Sequence, residues 1–140
     1  GHHGARLARA GGRIYLDATI RIGYYPRTDL KGLWRQYFGY GRGRARNLLT
    51  NNGRPRLRQL VPVANFLLLL VSLCLLTVSD IGVIWPFLYL LGLLGVTGYV
   101  TIRHRSLCGL WGGLILAVMH NAWAMGFFAG TYQHKRELAA

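Results

Sequence analysis

The sequence predicts an α-helical membrane region of two to three transmembrane helices, preceded by a small α+β segment. Three observations carry this prediction. The chain is 52% hydrophobic and only 15% charged, where a soluble domain carries about 25% charged residues. Its charge is segregated: residues 1–59 hold 13 of the 17 basic residues against Asp17 and Asp29, a net +11, while residues 60–140 hold Arg103, Arg105, Lys135 and Arg136 against Asp80 and Glu137. Finally, residues 60–78 and 81–102 are two long runs without a single charge. A basic head on an apolar tail excludes a simple soluble enzyme, a disordered polyelectrolyte and a disulfide-rich secreted module.

Residues 1–27 read as the edge of a domain. Arg6-Leu7-Ala8-Arg9-Ala10 ends a helix at Gly11-Gly12, since glycine accepts the left-handed conformation that closes helices. Residues 13–17 and 19–24 then alternate with a period of two, with Ile20, Ile22 and Tyr24 on one face, the pattern of a half-buried strand. Two short strands need more sheet or a covering helix, and these partners are expected before Gly1. The chain opens on glycine and its only methionines are Met119 and Met125, so it is read as the C-terminal part of something longer.

Residues 28–59 read as an amphipathic helix and a basic juxtamembrane linker. Thr28 or Asp29 supplies the N-cap oxygen. Leu30, Leu33, Trp34, Tyr37 and Phe38 form a stripe at helical spacing, flanked by Lys31 and Arg35. Such a stripe suits the membrane interface or the core of a domain. The alternation Gly39-Tyr40-Gly41-Arg42-Gly43-Arg44-Ala45-Arg46 and the later Arg54, Arg56 and Arg58 predict contact with anionic headgroups rather than with nucleic acid. A sharper reading has some of these arginines bind a diphosphate or a lipid-linked phosphate.

The tail divides into 60–78, 81–102 and 107–130, followed by a polar end, 131–140. Nineteen helical residues extend about 28 Å, close to the hydrocarbon thickness of a bilayer. Trp85 and Tyr99 stand near the two ends of the second run, where interfacial aromatics belong. The +11 head and Arg103-His104-Arg105 are both expected on the cytoplasmic side, which two crossings satisfy. The third segment contains Trp111, His120, Asn121, Trp123, Gly126 and Gly130. It either spans, leaving His134-Lys135-Arg136 outside, or re-enters and returns that tail inside.

The chemistry-bearing residues are sparse. Cys74 and Cys108 have neither metal-ligand nor disulfide spacing and read as small buried apolar side chains. Asp17, Asp29, Asp80 and Glu137 are isolated in sequence, and Asp17 and Asp29 have structural roles as strand end and helix cap. His120 is an intramembrane polar residue, a functional candidate because burying such a group in lipid is costly. No catalytic triad, phosphate loop or zinc spacing occurs.

Residues 6–17, Tyr25-Pro26-Arg27, residues 33–42 and residues 119–127 together resemble the C-terminal part of membrane-bound family-2 glycosyltransferases, of the succinoglycan-biosynthesis type. The resemblance runs in order over nearly the whole chain. It implies that the first 27 residues are the remnant of a GT-A catalytic domain whose donor site, catalytic base and metal-binding carboxylates lie before Gly1, with Mg or Mn as the expected metal of the parent enzyme. It also sets a Gln-x-x-Arg-Trp motif on residues 36–40. Gln36 matches, Gly39 and Tyr40 replace Arg and Trp, and Arg35 or Arg42 would supply the cation. Arg35, Gln36, Tyr40 and Arg42 are thus the expected substrate-binding residues, and Gln36 and Tyr40 share a helix face four residues apart. The implied partners are membrane lipid, a nucleotide-sugar donor and a lipid-linked or glycan acceptor, at the bacterial cytoplasmic membrane. The chain alone is expected to be inactive. The alternative reading is a non-enzymatic basic membrane protein that binds anionic lipid or anchors a partner.

Overall fold

The computed structural model describes residues 10–13, 15, 17, 19–21, 29–51, 53, 55 and 57–139. Its helices are α1 (Leu30–Thr50), α2 (Leu57–Leu75), α3 (Ile84–His104) and α4 (Gly112–Ala139), with 3₁₀ turns at Asp80–Val83 and Leu107–Trp111. The alternating segment expected to form strands lies largely outside the described residues, and no strand occurs among the described ones. At its edge the Thr19 hydroxyl and N–H both donate to Asp17 Oδ1, at 2.7 and 2.8 Å. These bonds hold the Asp17 carboxyl below its ordinary range, so this acid organises a local turn.

Asp29 is the N-cap of α1, its Oδ2 accepting from the Gly32 N–H at 3.1 Å. The helix does not stop at the glycine–arginine alternation, where the sequence predicts a linker. It continues to Thr50, and Asn51 closes it by bonding Asn47 with both its backbone and its side chain. Three interior glycines oppose helix formation by about 1 kcal/mol each. Packing overrides this, because Gly41 lies against the backbone of α4.

α1 and α4 run in the same direction, with Phe38 opposite Gly126, Gly41 opposite Trp123 and Phe127, and Arg42 and Ala45 opposite Gly130. A Cβ on Gly126 would strike the Phe38 carbonyl, and one on Gly130 would come within 2.6 Å of the Arg42 carbonyl. Small residues allow this approach, as they do between helices in membranes. The aromatic stripe of α1 therefore has a partner that its sequence does not suggest: the second half of α4.

α3 and α4 are antiparallel. Gly109 sits on Thr101, and Gly113 on Leu93 and Thr97. The Gly113 N–H donates to Thr97 Oγ1 at 2.9 Å. Arg105, in the left-handed conformation at φ 48°, turns the chain between them. α4 is one unbroken helix through Ala139, so the polar end 131–139 is helical.

Two helical stretches, Asp80–His104 and Leu107–Ala139, are long and apolar enough to cross a membrane, whereas the apolar part of α2, Gln59–Leu75, is shorter. The first uncharged run thus stops being helical three residues before the expected 78, where Thr77 bonds the Cys74 carbonyl and Ser79 caps the next turn.

Burial is inverted relative to a soluble domain. Among the described residues the buried hydrophobic side chains are Ala45, Ala122 and Ala124, while Leu73, Ile84, Phe87, Leu88 and Leu94 are exposed. Cys74 and Cys108 are exposed as well, not buried as expected. Small residues fill the helix contacts, so these cysteines fall on the outer apolar surface.

Candidate functional site

Three helices bring polar groups together inside this apolar setting. Asn65 of α2 is buried, at 7% exposure. Tyr89 of α3 stacks on His120 of α4, with ring centroids 6.4 Å apart. Asn65 Nδ2, Tyr89 Oη and His120 Nδ1 are buried, and Asn65 interacts with the Tyr89 hydroxyl, but none of the three atoms makes a hydrogen bond of good geometry among the described residues. Burying an amide or hydroxyl without a well-formed hydrogen bond costs about 1–3 kcal/mol, which makes this cluster a candidate site.

His120 also lines a groove of about 410 Å³ between α1, α2 and α4. Tyr37, Tyr40, Arg44 and Gln59 form its polar side, and Pro62, Met119 and Trp123 belong to its apolar side. Arg44 is fixed there: its Nε donates to Gln59 Oε1 at 3.1 Å. Among the described residues no carboxylate pairs with it. A tethered cation beside an apolar wall is chemically suited to an amphiphile with an anionic head.

The four expected substrate-binding residues separate. Gln36 Nε2 donates to Tyr40 Oη at 2.7 Å, the i,i+4 contact that their spacing allows. Tyr40 also meets Tyr37 edge-on, at 5.6 Å. Of the four, only Tyr40 reaches the groove with His120. Arg42 faces a second cleft of about 380 Å³ together with Arg46, His134 and Glu137, where Arg46 pairs with Glu137 at 3.7 Å. Arg35 is exposed and lines neither space. Sequence reasoning included Arg44 among the arginines that could bind a phosphate, but missed its partner Gln59, 15 residues away, and the Asn65–Tyr89 side of the cluster. Asn65, an amide inside an uncharged run of leucines, was the readable signal.

Among the described residues no three His, Cys, Asp or Glu side chains group together, and Asp17, Asp29 and Glu137 have local partners.

Comparison with known proteins adds one match. Over 138 residues, 96% of this chain, the sequence is 36% identical to the succinoglycan biosynthesis protein ExoA of Rhizobium meliloti (strain 1021). The chain is similar to a succinoglycan biosynthesis protein. It spans 40% of the length of ExoA. The succinoglycan-type resemblance read from residues 6–17, 33–42 and 119–127 therefore extends over nearly the full sequence. No family model matches the chain, and no solved structure does.

Proposed function

We infer that this chain is the membrane-anchoring, acceptor-side region of a glycosyltransferase that moves a sugar from a nucleotide sugar to a lipid-linked or polysaccharide acceptor at the cytoplasmic face. The observation that carries this reading is the inverted burial, with small residues inside and large apolar ones outside, together with the similarity to ExoA. Contiguous apolar surface of this extent needs a nonpolar surrounding. The polar groove and the cluster of Asn65, Tyr89 and His120 supply groups for recognition, while donor binding and the catalytic base belong to the parent enzyme.

The packing supports a particular orientation. Arg46 of α1 pairs with Glu137 at the end of α4, so the C-terminal tail shares the side of the basic helix α1. The α3–α4 pair then forms the crossing hairpin, and Arg103-His104-Arg105 lies on the far side. The +11 of residues 1–59 outweighs those two arginines in setting orientation. α2 starts in the groove, where Gln59 meets Arg44 and lies with Met119 and His120, passes Phe128 at Phe66, and ends beside Gly82 at the entry of α3. The sequence expectation has crossings at 60–78 and 81–102, with 107–130 as a third that spans or re-enters; the α3–α4 hairpin corresponds to the second and third of these.

The test is transfer by membranes. Membranes from cells carrying the intact gene, and from cells in which the region encoding α2–α4 is deleted, are incubated with a panel of labelled nucleotide sugars. Label should enter the lipid-extractable or polysaccharide fraction only with the intact gene. Transfer that survives the deletion at full rate, or none from any donor, would favour a basic lipid-binding protein instead.

A further inference from the structure

We propose that the Arg44–Gln59 groove binds the phosphate of the acceptor lipid, with Arg44 on the phosphate and the wall of Pro62, Met119 and Trp123 along the first part of the chain. This rests on the acceptor-side reading above and deepens it by naming the residues. Arg44 is half-buried and oriented by its Nε–H bond to Gln59, at 3.1 Å, which turns the terminal nitrogens of the guanidinium into the free part of its fork. A guanidinium matches phosphate oxygens through paired N–H donors. Tyr40 shares the polar side, and its hydroxyl is already positioned by Gln36 at 2.7 Å. His120 lines the same groove, with Nδ1 unpartnered among the described residues. The cation and the apolar wall are contributed by three different helices, so the site exists only when α1 is docked on α4.

The second cleft differs in kind. There Arg46 is already paired with Glu137, and the carboxylate would repel a phosphate. Arg46 is therefore a control of equal charge outside the proposed site.

The experiment uses the full chain in phosphatidylcholine nanodiscs and follows tryptophan fluorescence during titration with farnesyl phosphate or farnesol. Farnesyl phosphate should bind at least tenfold tighter than farnesol. Arg44→Gln should remove that advantage, Arg44→Lys should restore most of it, and Arg46→Gln should leave affinity within twofold. Repeating the titration in phosphatidylglycerol nanodiscs separates the acceptor from a bilayer headgroup. Undiminished farnesyl phosphate binding supports an acceptor site, and its loss to competing phosphatidylglycerol overturns the assignment. Equal binding of farnesol and farnesyl phosphate, or equal effects of Arg44→Gln and Arg46→Gln, would also overturn it. If the transfer assay fails while this binding holds, only the enzyme reading falls; if transfer holds and Arg44→Gln changes neither binding nor transfer, only this proposal falls.

Discussion

The α1–α4 contact and the groove shared by α1, α2 and α4 lie on the same helix, yet they are built in opposite ways. The first is made of Gly41, Ala45, Ala122, Gly126 and Gly130, with backbones so close that a single added methyl group has no room. The second places Arg44, Gln59 and His120 around open space, with Asn65 and Tyr89 adjoining at His120, and three buried polar atoms of this cluster lack a well-formed hydrogen bond among the described residues. Close contact of small residues gains dispersion energy without relying on the hydrophobic effect, which is what lipid permits. Unpaired polar atoms cost free energy, and their presence is the reason a recognition role is proposed for the second region. One region holds the helices in place so that the other can remain unsatisfied.

The largest effect expected from this contrast is at Gly126. In Gly126→Leu the new side chain meets the Phe38 backbone, which cannot move aside as a flexible side chain would. Overpacking typically costs 1–3 kcal/mol, and here about 3 kcal/mol or more is expected. Limited trypsin digestion in detergent should then cut at Arg42, Arg44 and Arg46 far faster than in the unmodified protein.

Asn65→Leu should act in the opposite sense on stability. Removing an unsatisfied buried amide is expected to leave thermal unfolding in detergent unchanged or to raise stability by about 1 kcal/mol, while sugar transfer by the intact gene product falls. A clear loss of stability would show that Asn65 is a structural residue. Next in size are Gly39→Ala and Gly43→Ala. Both positions have open space where a Cβ would go, so each should stabilise α1 by roughly 0.5–1 kcal/mol through helix propensity, whereas Gly41→Ala, which meets α4, should destabilise it. Matching shifts at all three glycines would break the comparison. The smallest effect belongs to Arg46→Ala. Arg46 and Glu137 are 64% and 57% exposed, and such surface pairs contribute at most about 0.2–1 kcal/mol, so its melting temperature should barely change.

Much of this was legible in residues that act locally. The uncharged runs announced α2, α3 and most of α4 because lipid and packed helices tolerate long apolar stretches alike. Asp29 was readable as a cap, and Gln36 with Tyr40 as an i,i+4 pair, since both depend on spacing alone. What could not be read depends on pairing at long range. Gly41 and Gly126 are far apart in sequence, and nothing in either neighbourhood names the other. The glycine–arginine alternation of residues 39–46 predicts a linker from propensity, and only contact with α4 makes it a helix. For the same reason the sequence set the tail apart from α1, and it listed Arg35, Gln36, Tyr40 and Arg42 as substrate-binding and His120 as a separate intramembrane candidate, whereas the groove gathers Tyr40 and His120 with Arg44 and Gln59.

The most direct test of the account is the side of the membrane on which Ala140 lies. The pairing of α1 with the end of α4 puts the C-terminal tail on the side of the basic helix, which in the proposed orientation is cytoplasmic. A C-terminal fusion to green fluorescent protein should therefore fluoresce, and the matching alkaline phosphatase fusion should stay inactive. An active phosphatase with a dark fluorescent fusion would place Glu137 across the bilayer from Arg46 and contradict the docking on which the groove depends.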